Sequence, residues 1–260
     1  MREEFIRTEW LLGEENMKKL QNSRVAIFGI GGVGSYALEA LARIGIGSFV
    51  LVDNDTVACS NINRQLIATH KTIGMAKVEV AKQRVESINP QAVVEIHRAF
   101  YLPENGQGFI DGCDYVVDAI DTVSAKIALV EEAKGKNIPM ISCMGTGNKL
   151  NPAMLQISDL SKTSVCPLCR VMRKELKARG IQNLKVVYSE EVPMKPMSEI
   201  AKEKEQTSYK KRQTPGSVSF VPSVAGLLSA SEVTKDLAFG PAPADLRSAH
   251  RAPAAGKSGR

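Results

Sequence analysis

Residues 24–34 read RVAIFGIGGVG and decide the fold of this chain. The part from 24 to 30 is a short apolar run with a glycine next to its end, which is typical of a buried strand. Residues 33–44 follow with apolar positions at helical spacing. A strand, a glycine-rich turn and a helix in this order predict a nucleotide site, because the helix N-terminus offers free N–H groups to phosphate. The candidate phosphate-binding glycines are Gly29, Gly31, Gly32 and Gly34.

Strand-like and helix-like segments alternate outward from this turn. Further apolar strands are predicted over 48–53, 92–97, 114–118 and 138–143, and helices over 74–88 and 124–135. Alternation of this kind builds βαβ units around a parallel sheet, and the right-handed crossover rule makes the sheet doubly wound. The predicted fold class is therefore α/β, with a mostly parallel, Rossmann-like sheet.

The pattern changes after Gly147. Strands are predicted over 153–158, 184–189 and 217–221, with a basic helix over 166–179 and a last helix over 223–237. We interpret residues 1–239 as one domain, with a nucleotide-binding core at about 20–147 and a substrate-facing C-terminal strand/helix extension at 148–239. The polar segment 190–214 is predicted to be a mobile loop, and 240–260 a disordered tail.

The composition is that of a globular protein, since 43% of the 260 residues are hydrophobic and 24% are charged. No run of eighteen apolar residues is present, and the charged N-terminus lacks an apolar signal core, so we expect a cytoplasmic protein. The five cysteines are an odd number and do not form a secreted disulfide framework. The net charge of +6 favours a polyanionic partner such as RNA without requiring one.

Charged residues after the strands indicate which nucleotide is bound. Asp53 ends the second strand, where a carboxylate meets a ribose hydroxyl. Arg64 and Lys77 follow, and two cations suit the leaving pyrophosphate of a triphosphate better than they suit NAD. Asp118 and Asp121 close the fourth strand, and either carboxylate is a candidate for Mg²⁺ beside the phosphates. Asp121 is the favoured metal residue, although it is also a candidate cap for the helix that follows.

Five motifs in this order resemble the ubiquitin-activating-enzyme superfamily: GIGGVG, LVDNDTV, SNINRQ, GMAK and DAID, within about residues 5–147. The bacterial members include the molybdopterin- and thiamine-pathway adenylyltransferases. The resemblance implies an enzyme that binds ATP and Mg²⁺ and adenylates a carboxylate. It places Asp53 on the ribose, Asn61, Arg64, Gln65 and Lys77 around the phosphates, and Asp121 on the metal side. Arg7 matches an arginine that the partner subunit supplies in this family, which implies a homodimer.

The C-terminal third is similar to the tRNA threonylcarbamoyladenosine dehydratases, through SDLSKT at 158–163, RVMR at 170–173 and TPGSVSFVP at 214–222. The resemblance implies that the threonyl carboxylate of the modified tRNA attacks the α-phosphorus of ATP. The acyl-adenylate then closes into a ring by attack from within the same base, which releases AMP. An adenylyltransferase acting on the C-terminal glycine of a small sulfur-carrier protein is the alternative. The need for a sulfur-mobilising partner protein is left open.

The cysteines and the basic helix leave further alternatives. Cys166 and Cys169 form one CxxC pair, which is half of a Cys₄ site, so we expect no structural zinc. The pair is interpreted as two thiols at a helix start, with zinc shared across a dimer and redox activity as alternatives. Cys143 is interpreted as a small buried apolar residue. The cations proposed to line a tRNA backbone are Arg170, Arg173, Lys174, Lys177, Arg179, Lys210, Lys211 and Arg212.

Overall fold

A seven-stranded sheet forms the centre of the molecule, in the computed structural model that describes residues 2–102, 104, 108–195, 197 and 215–240. Along the sheet the strands lie in the order β3-β2-β1-β4-β5-β7-β6. The strands are β1 (Arg24–Phe28), β2 (Ser48–Val52), β3 (Val93–His97), β4 (Tyr115–Asp118), β5 (Met140–Cys143), β6 (Leu155–Asp159) and β7 (Lys185–Ser189).

Every pairing from β3 to β7 is parallel, and only the edge strand β6 runs antiparallel to its neighbour β7. The order reverses beside β1, because β2 and β4 flank that strand on its two sides. In an open parallel sheet such a reversal leaves a crevice at the carboxyl ends of the strands. The predicted α/β class with a doubly wound, mostly parallel sheet is confirmed.

Helices cover both faces of the sheet. The alternation of side chains along β1 shows this, since Val25 and Ile27 contribute to one buried cluster while Ala26 and Phe28 contribute to the other. The helices are α1 (Ile6–Leu12), α2 (Glu14–Asn22), α3 (Gly34–Ile44), α4 (Lys77–Ile88), α5 (Val123–Gly135), α6 (Pro167–Ala178) and α7 (Phe220–Phe239). None of the described helices is long and apolar enough to cross a membrane.

The predicted strand over 217–221 is wrong, because α7 already begins at Phe220. The β-branched and aromatic residues favour a strand locally. Val221 and Ala225, four residues apart, are both buried, so one helical face packs into the core. Pro222 lies in the first helical turn, where a missing N–H costs little. Tertiary packing therefore overrides the local preference.

Helix α7 packs closely against the glycine turn and α3. A Cβ placed on Gly226 would lie 2.3 Å from the carbonyl oxygen of Val33. Because no side chain separates the two backbones there, α7 packs directly against the first turn of α3.

Several predictions concern residues outside the described part of the chain. Most of the predicted mobile loop at 190–214 lies there, as do residues 241–260 of the predicted tail and the candidate cations Lys210, Lys211 and Arg212. The boundary between the nucleotide-binding core and the substrate-facing part, at 147/148, stays a prediction, since one sheet contains strands from both sides of it.

Candidate nucleotide site

The glycine turn after β1 can be built only with glycine at two positions. Gly29 has a φ of +87°, and a Cβ there would lie 2.7 Å from the carbonyl oxygen of Ala119. A Cβ on Gly34 would lie 1.8 Å from the carbonyl oxygen of Gly29. The turn is thus folded tightly on itself and against the loop after β4, which brings the start of α3 to the carboxyl edge of the sheet.

The same turn exposes donors suited to an anion. Among the described residues, no acceptor is bound by the backbone N–H groups of Gly31, Gly32 and Val33, and α3 has no side-chain cap. Gln65 is buried beside them, with Nε2 3.8 Å from the position of a Cβ on Gly31. Its Oε1 atom has no hydrogen-bond partner among the described residues. Free N–H groups and an unsatisfied buried amide fit a site that a nucleotide completes.

Asp53 is bound to the turn rather than pointing freely into solvent. Oδ2 accepts a hydrogen bond from the N–H of Ile30 at 2.6 Å, and Oδ1 accepts one from the N–H of Asp55 at 2.8 Å. Burial raises the pKa of the Asp53 carboxyl, which the nearby ammonium of Lys77 and the two N–H donors oppose. The carboxylate therefore links the end of β2 to the glycine turn, at the place predicted for the ribose.

Lys77 lies at the same edge of the sheet. It is the first residue of α4 and is buried, with Nζ 2.8 Å from Oδ2 of Asp55. Its backbone N–H donates to the carbonyl oxygen of Asp55 at 3.0 Å. The ammonium group is thus paired with Asp55 and lies within electrostatic reach of Asp53, which binds the glycine turn.

Asn61 is the last residue of a short 3₁₀ helix, Cys59–Asn61, and Arg64 lies in the turn that follows it. The carbonyl oxygen of Arg64 would be 3.4 Å from a Cβ on Gly32, so this segment borders the glycine turn directly. The guanidinium donates to the carbonyl oxygen of Ser60 at 2.8 Å and to Oδ1 of Asn63 at 2.9 Å. Oδ1 of Asn61 accepts from the N–H of Ala58, which leaves its amide N–H₂ group without a partner among the described residues.

The two aspartates after β4 have different environments. Asp118 is completely buried, with Oδ2 3.0 Å from Nζ of Lys126 and in hydrogen-bond contact with Ser142. Asp121 is exposed and only accepts a 3.3 Å hydrogen bond from Thr122, which is itself the N-cap of α5. Of the two carboxylates that the sequence leaves open, only Asp121 is accessible to a metal, and it does not cap the helix.

A cleft lies beyond the carboxyl end of β5. The segment 215–218 crosses the edge of the sheet, held by Nδ2 of Asn63 on the carbonyl oxygen of Ser217 at 2.9 Å. The N–H of Gly216 donates to Oδ1 of Asn148 at 2.7 Å. The cleft has a volume of about 210 Å³ and is lined by Asn148, Lys149, Leu150, Met194, Lys195, Met197, Gly216, Ser217 and Val218.

Sequence reasoning missed Lys149, a buried lysine in this cleft. It is 2% exposed, and burial lowers its pKa. The run Gly145-Thr146-Gly147-Asn148-Lys149 directly after β5 is the signal that could have found it, because it is a second glycine-rich turn at the carboxyl edge.

Two predicted residues lie on other elements, one on α1 and one at the end of β5. Arg7 is exposed on α1 and makes no hydrogen bond or ion pair among the described residues. Cys143 is buried as expected, with Sγ 3.0 Å from Oγ of Ser229. Burial raises the pKa of its thiol to about 11, so Cys143 is unsuited to nucleophilic chemistry.

Replacing Gly34 with alanine is expected to lower ATP affinity about tenfold or more and to destabilise the fold by about 1–3 kcal/mol. The reason is the 1.8 Å approach of the new methyl group to the backbone of Gly29. Gly135→Ala is the control, because no atom lies within 4 Å of a Cβ at that position. Isothermal titration with ATP and urea unfolding of both variants measure the effect. Wild-type affinity in Gly34→Ala would contradict the geometry of the turn.

The fold and this arrangement define a nucleotide-binding protein of the doubly wound α/β class, with cations placed beside the phosphate turn. The chain belongs to the ThiF family, whose sequence profile matches residues 6–249.

Individual relatives are similar over most of the chain. The tRNA threonylcarbamoyladenosine dehydratase of Bacillus subtilis is 43% identical over 242 residues, which cover 91% of this chain and 95% of that protein. The Escherichia coli tRNA N6-threonylcarbamoyladenosine dehydratase, solved with ATP, superposes with a TM-score of 0.81 at 32% identity, over 96% of this chain and 97% of that one. An adenylyltransferase and sulfurtransferase of Vanderwaltozyma polyspora is 34% identical over 157 residues, covering 60% of this chain and 35% of that protein.

Proposed function

We propose that this chain is an ATP-dependent tRNA threonylcarbamoyladenosine dehydratase. The observation that carries the proposal is the extent of the likeness to the Bacillus subtilis dehydratase, which covers 95% of that protein and so includes the segment around the cleft. The similarity to the adenylyltransferase and sulfurtransferase covers only 60% of this chain. A phosphate turn and a cleft at the same carboxyl edge of the sheet suit a reaction between ATP and a second, larger substrate.

In the proposed reaction the threonyl carboxylate of the modified tRNA attacks the α-phosphorus of ATP, and pyrophosphate leaves. Attack on the acyl-adenylate from within the same base then closes a ring and releases AMP. The attacking group is tethered to the acyl group, so its effective concentration is high and no enzyme nucleophile is required. This agrees with the absence of any cysteine after Cys169 in the sequence.

The residues around the glycine turn have separate roles in this proposal. The N–H groups of Gly31 and Gly32 bind phosphate oxygens, and Asp53 orients the ribose. Lys77 and Arg64 neutralise the charge that develops on pyrophosphate as it leaves. The amide groups of Asn61 and Gln65 complete the phosphate contacts.

Asp121 is the residue that would hold Mg²⁺. Among the described residues, no group of three or more His, Cys, Asp or Glu side chains is arranged to hold a metal ion. A single exposed carboxylate nevertheless fits Mg²⁺, which is commonly bound through one or two carboxylates together with substrate phosphates. When bound there, the ion supplies additional positive charge to the phosphate groups.

The tRNA is proposed to contact α6. Arg170, Lys174 and Lys177 are exposed and recur at helical spacing on one face, opposite the buried face of this helix. Two of the predicted RNA-binding arginines form contacts within the protein itself. Arg173 donates to the carbonyl oxygen of Thr163 at 2.8 Å, and Arg179 pairs with Glu175 at 3.0 Å.

A homodimer is proposed, with Arg7 reaching the partner's phosphates. Two observations on α1 support it. Trp10 is 76% exposed and Leu11 is 83% exposed, and adjacent exposed apolar side chains of this size are typical of an interface. Arg7 lies on the same short helix and is free of partners among the described residues. The cytoplasmic location and a sulfur-mobilising partner stay predictions.

Mixing two inactive variants tests the role of Arg7 across the subunit interface. The Arg7→Ala protein and the Lys77→Met protein are mixed, denatured together and refolded. The mixture is then assayed with ATP and modified tRNA. If Arg7 acts on the partner, each heterodimer has one complete site, and an equal mixture regains about one quarter of wild-type activity. If Arg7 acts within its own subunit, no site in the mixture is complete and activity stays absent, which would contradict the proposal.

The dehydratase activity itself is tested with purified protein, ATP and tRNA that carries threonylcarbamoyladenosine. Nucleoside digestion and mass spectrometry should show a product lighter by one water molecule, with AMP formed in equal amount. Loss of the dehydrated nucleoside from the tRNA of a deletion strain is the matching result in cells. ATP–pyrophosphate exchange that depends on a sulfur-carrier protein and not on tRNA would favour the alternative and overturn the proposal.

A further inference from the structure

Cys166 and Cys169 lie next to each other at the start of α6, away from the glycine turn. Cys166 is the N-cap of this helix and Cys169 is its third residue, a spacing that brings the two side chains together. Both residues are buried, with 3% and 0% of their surface exposed. Both are free thiols in the structure.

The backbone before Cys166 is strained. Val165 is β-branched and has a φ of +58°, in the left-handed region that such residues rarely occupy. The N–H of Cys166 donates to the carbonyl oxygen of Ser164 at 2.5 Å, which closes a three-residue turn around Val165. Because the side chain of Val165 is 44% exposed, its packing does not account for this conformation. Strain of this kind is found where a functional group must be held in place.

Several groups favour negative charge on the sulfur of Cys166. It faces the thiol of Cys169 and the backbone N–H groups of Leu168 and Cys169 in the first turn of α6, and it lies within electrostatic reach of the ammonium of Lys149. These interactions lower the pKa of the Cys166 thiol well below its usual value despite burial. In return, the Cys166 thiolate opposes the effect of burial on Lys149.

Cys166 differs in this respect from the other buried thiols. Burial raises the pKa of Cys113 and of Cys143, the latter to about 11. Cys59 is exposed and is not paired with a second thiol. Among the five cysteines, all of which the structure describes, only Cys166 has both a lowered pKa and a second thiol beside it. That second thiol, on Cys169, can displace a leaving group from the Cys166 sulfur.

We propose that Cys166 and Cys169 form a redox-active dithiol, which a small hydroperoxide oxidises to an intramolecular disulfide. The Cys166 thiolate attacks the peroxide O–O bond, which forms a sulfenic acid and releases hydroxide. The Cys169 sulfur then attacks the Cys166 sulfur, its proton leaves with the departing hydroxide as water, and the S–S bond forms. With hydrogen peroxide as the oxidant, two thiols are oxidised and one peroxide is reduced. Two water molecules form overall, because the hydroxide from the first step takes up the proton that Cys166 lost when it ionised.

Burial selects the oxidant, since a small hydroperoxide can approach a sulfur atom that a bulky aromatic disulfide cannot reach. The oxidation would also change the cleft beyond β5. Lys149 lines that cleft and would lose the thiolate that supports its charge. Oxidation of Cys166 and Cys169 requires no particular substrate in the cleft.

The test uses the reduced 260-residue chain and one equivalent of hydrogen peroxide at pH 7. Remaining thiols are alkylated after denaturation, and tryptic peptides are weighed. Cleavage after Lys162 and Arg170 releases residues 163–170, which contain both cysteines. We expect this peptide to become unreactive to alkylation and lighter by two hydrogens, about ten times faster than Cys59 is oxidised. Full alkylation of both cysteines while Cys59 is oxidised would overturn the proposal.

Variants separate the chemistry from any effect on folding. Cys169→Ser should stop at a sulfenic acid on Cys166, which a dione reagent traps. Lys149→Met should slow oxidation about tenfold, whereas Lys149→Arg, which keeps the charge, and Lys174→Met, an exposed lysine of α6, should leave the rate near that of the wild type. Circular dichroism confirms that each variant is folded. An unchanged rate in folded Lys149→Met would show that the thiolate is not activated as proposed.

Discussion

Replacing Lys77 with methionine is expected to lower kcat/KM for tRNA dehydration by about 10²–10³-fold, the usual cost of removing a group that stabilises developing charge. The Nζ atom is buried and fixed 2.8 Å from Asp55, so the cation is already positioned before ATP binds. Most of the loss should appear in kcat, because the charge on pyrophosphate grows as the bond to the α-phosphorus breaks. Methionine keeps the length of the side chain and so limits the structural disturbance.

The matched control for this prediction is Lys82→Met. Lys82 lies on the same helix, α4, but its side chain is half-exposed and lies 4.0 Å from the carboxylate of Glu86. Its replacement should leave kcat/KM within about a factor of two, since exposed pairs contribute little. Arg64→Ala is the companion variant and should show a loss similar to that of Lys77→Met. Full ATP-dependent turnover in folded Lys77→Met and Arg64→Ala would show that the phosphate assignment is wrong.

The parts of the fold that follow a local periodicity could be predicted from the sequence. The apolar runs that became β1, β2, β4 and β5 are short and continuous, because these strands are covered on both faces. The glycine turn was also predictable, since the clashes at Gly29 and Gly34 exclude other residues from those positions. The antiparallel edge strand β6 was predicted as a strand, but its direction depends on its pairing with β7 and carries no local signal.

The parts of the site that depend on distant packing could not be predicted. Lys149 lies in a cleft whose lining also includes Met194 and Ser217, which are far away in sequence. Arg173 looks like a surface cation on a basic helix, yet its guanidinium binds carbonyl oxygens of the turn before that helix. The choice between Asp118 and Asp121 was open for the same reason. Only the three-dimensional structure shows that Lys126 reaches back to Asp118.

The buried pair of Asp118 and Lys126 connects the site to the core. The lysine ammonium also donates to the carbonyl oxygen of Cys143 at 2.7 Å, and Ser142 lies against both partners. Oδ1 of Asp118 accepts from the N–H of Ile120 at 3.1 Å. The pair therefore joins β4, β5 and α5 and fixes the loop that carries Asp121.

Lys126→Met is expected to destabilise the protein by about 3–5 kcal/mol, because it leaves the Asp118 carboxylate buried without its counter-ion. Replacing both partners, as Asp118→Asn with Lys126→Met, should recover part of that loss, since the uncompensated charge is then removed as well. Lys134→Met on the exposed side of α5 is the control and should change the free energy of unfolding by less than about 0.5 kcal/mol. Urea unfolding of the four proteins measures all three differences. If Lys126→Met unfolds at the urea concentration of the control, the charge pair contributes nothing to the core, and the position of the Asp121 loop must have another cause.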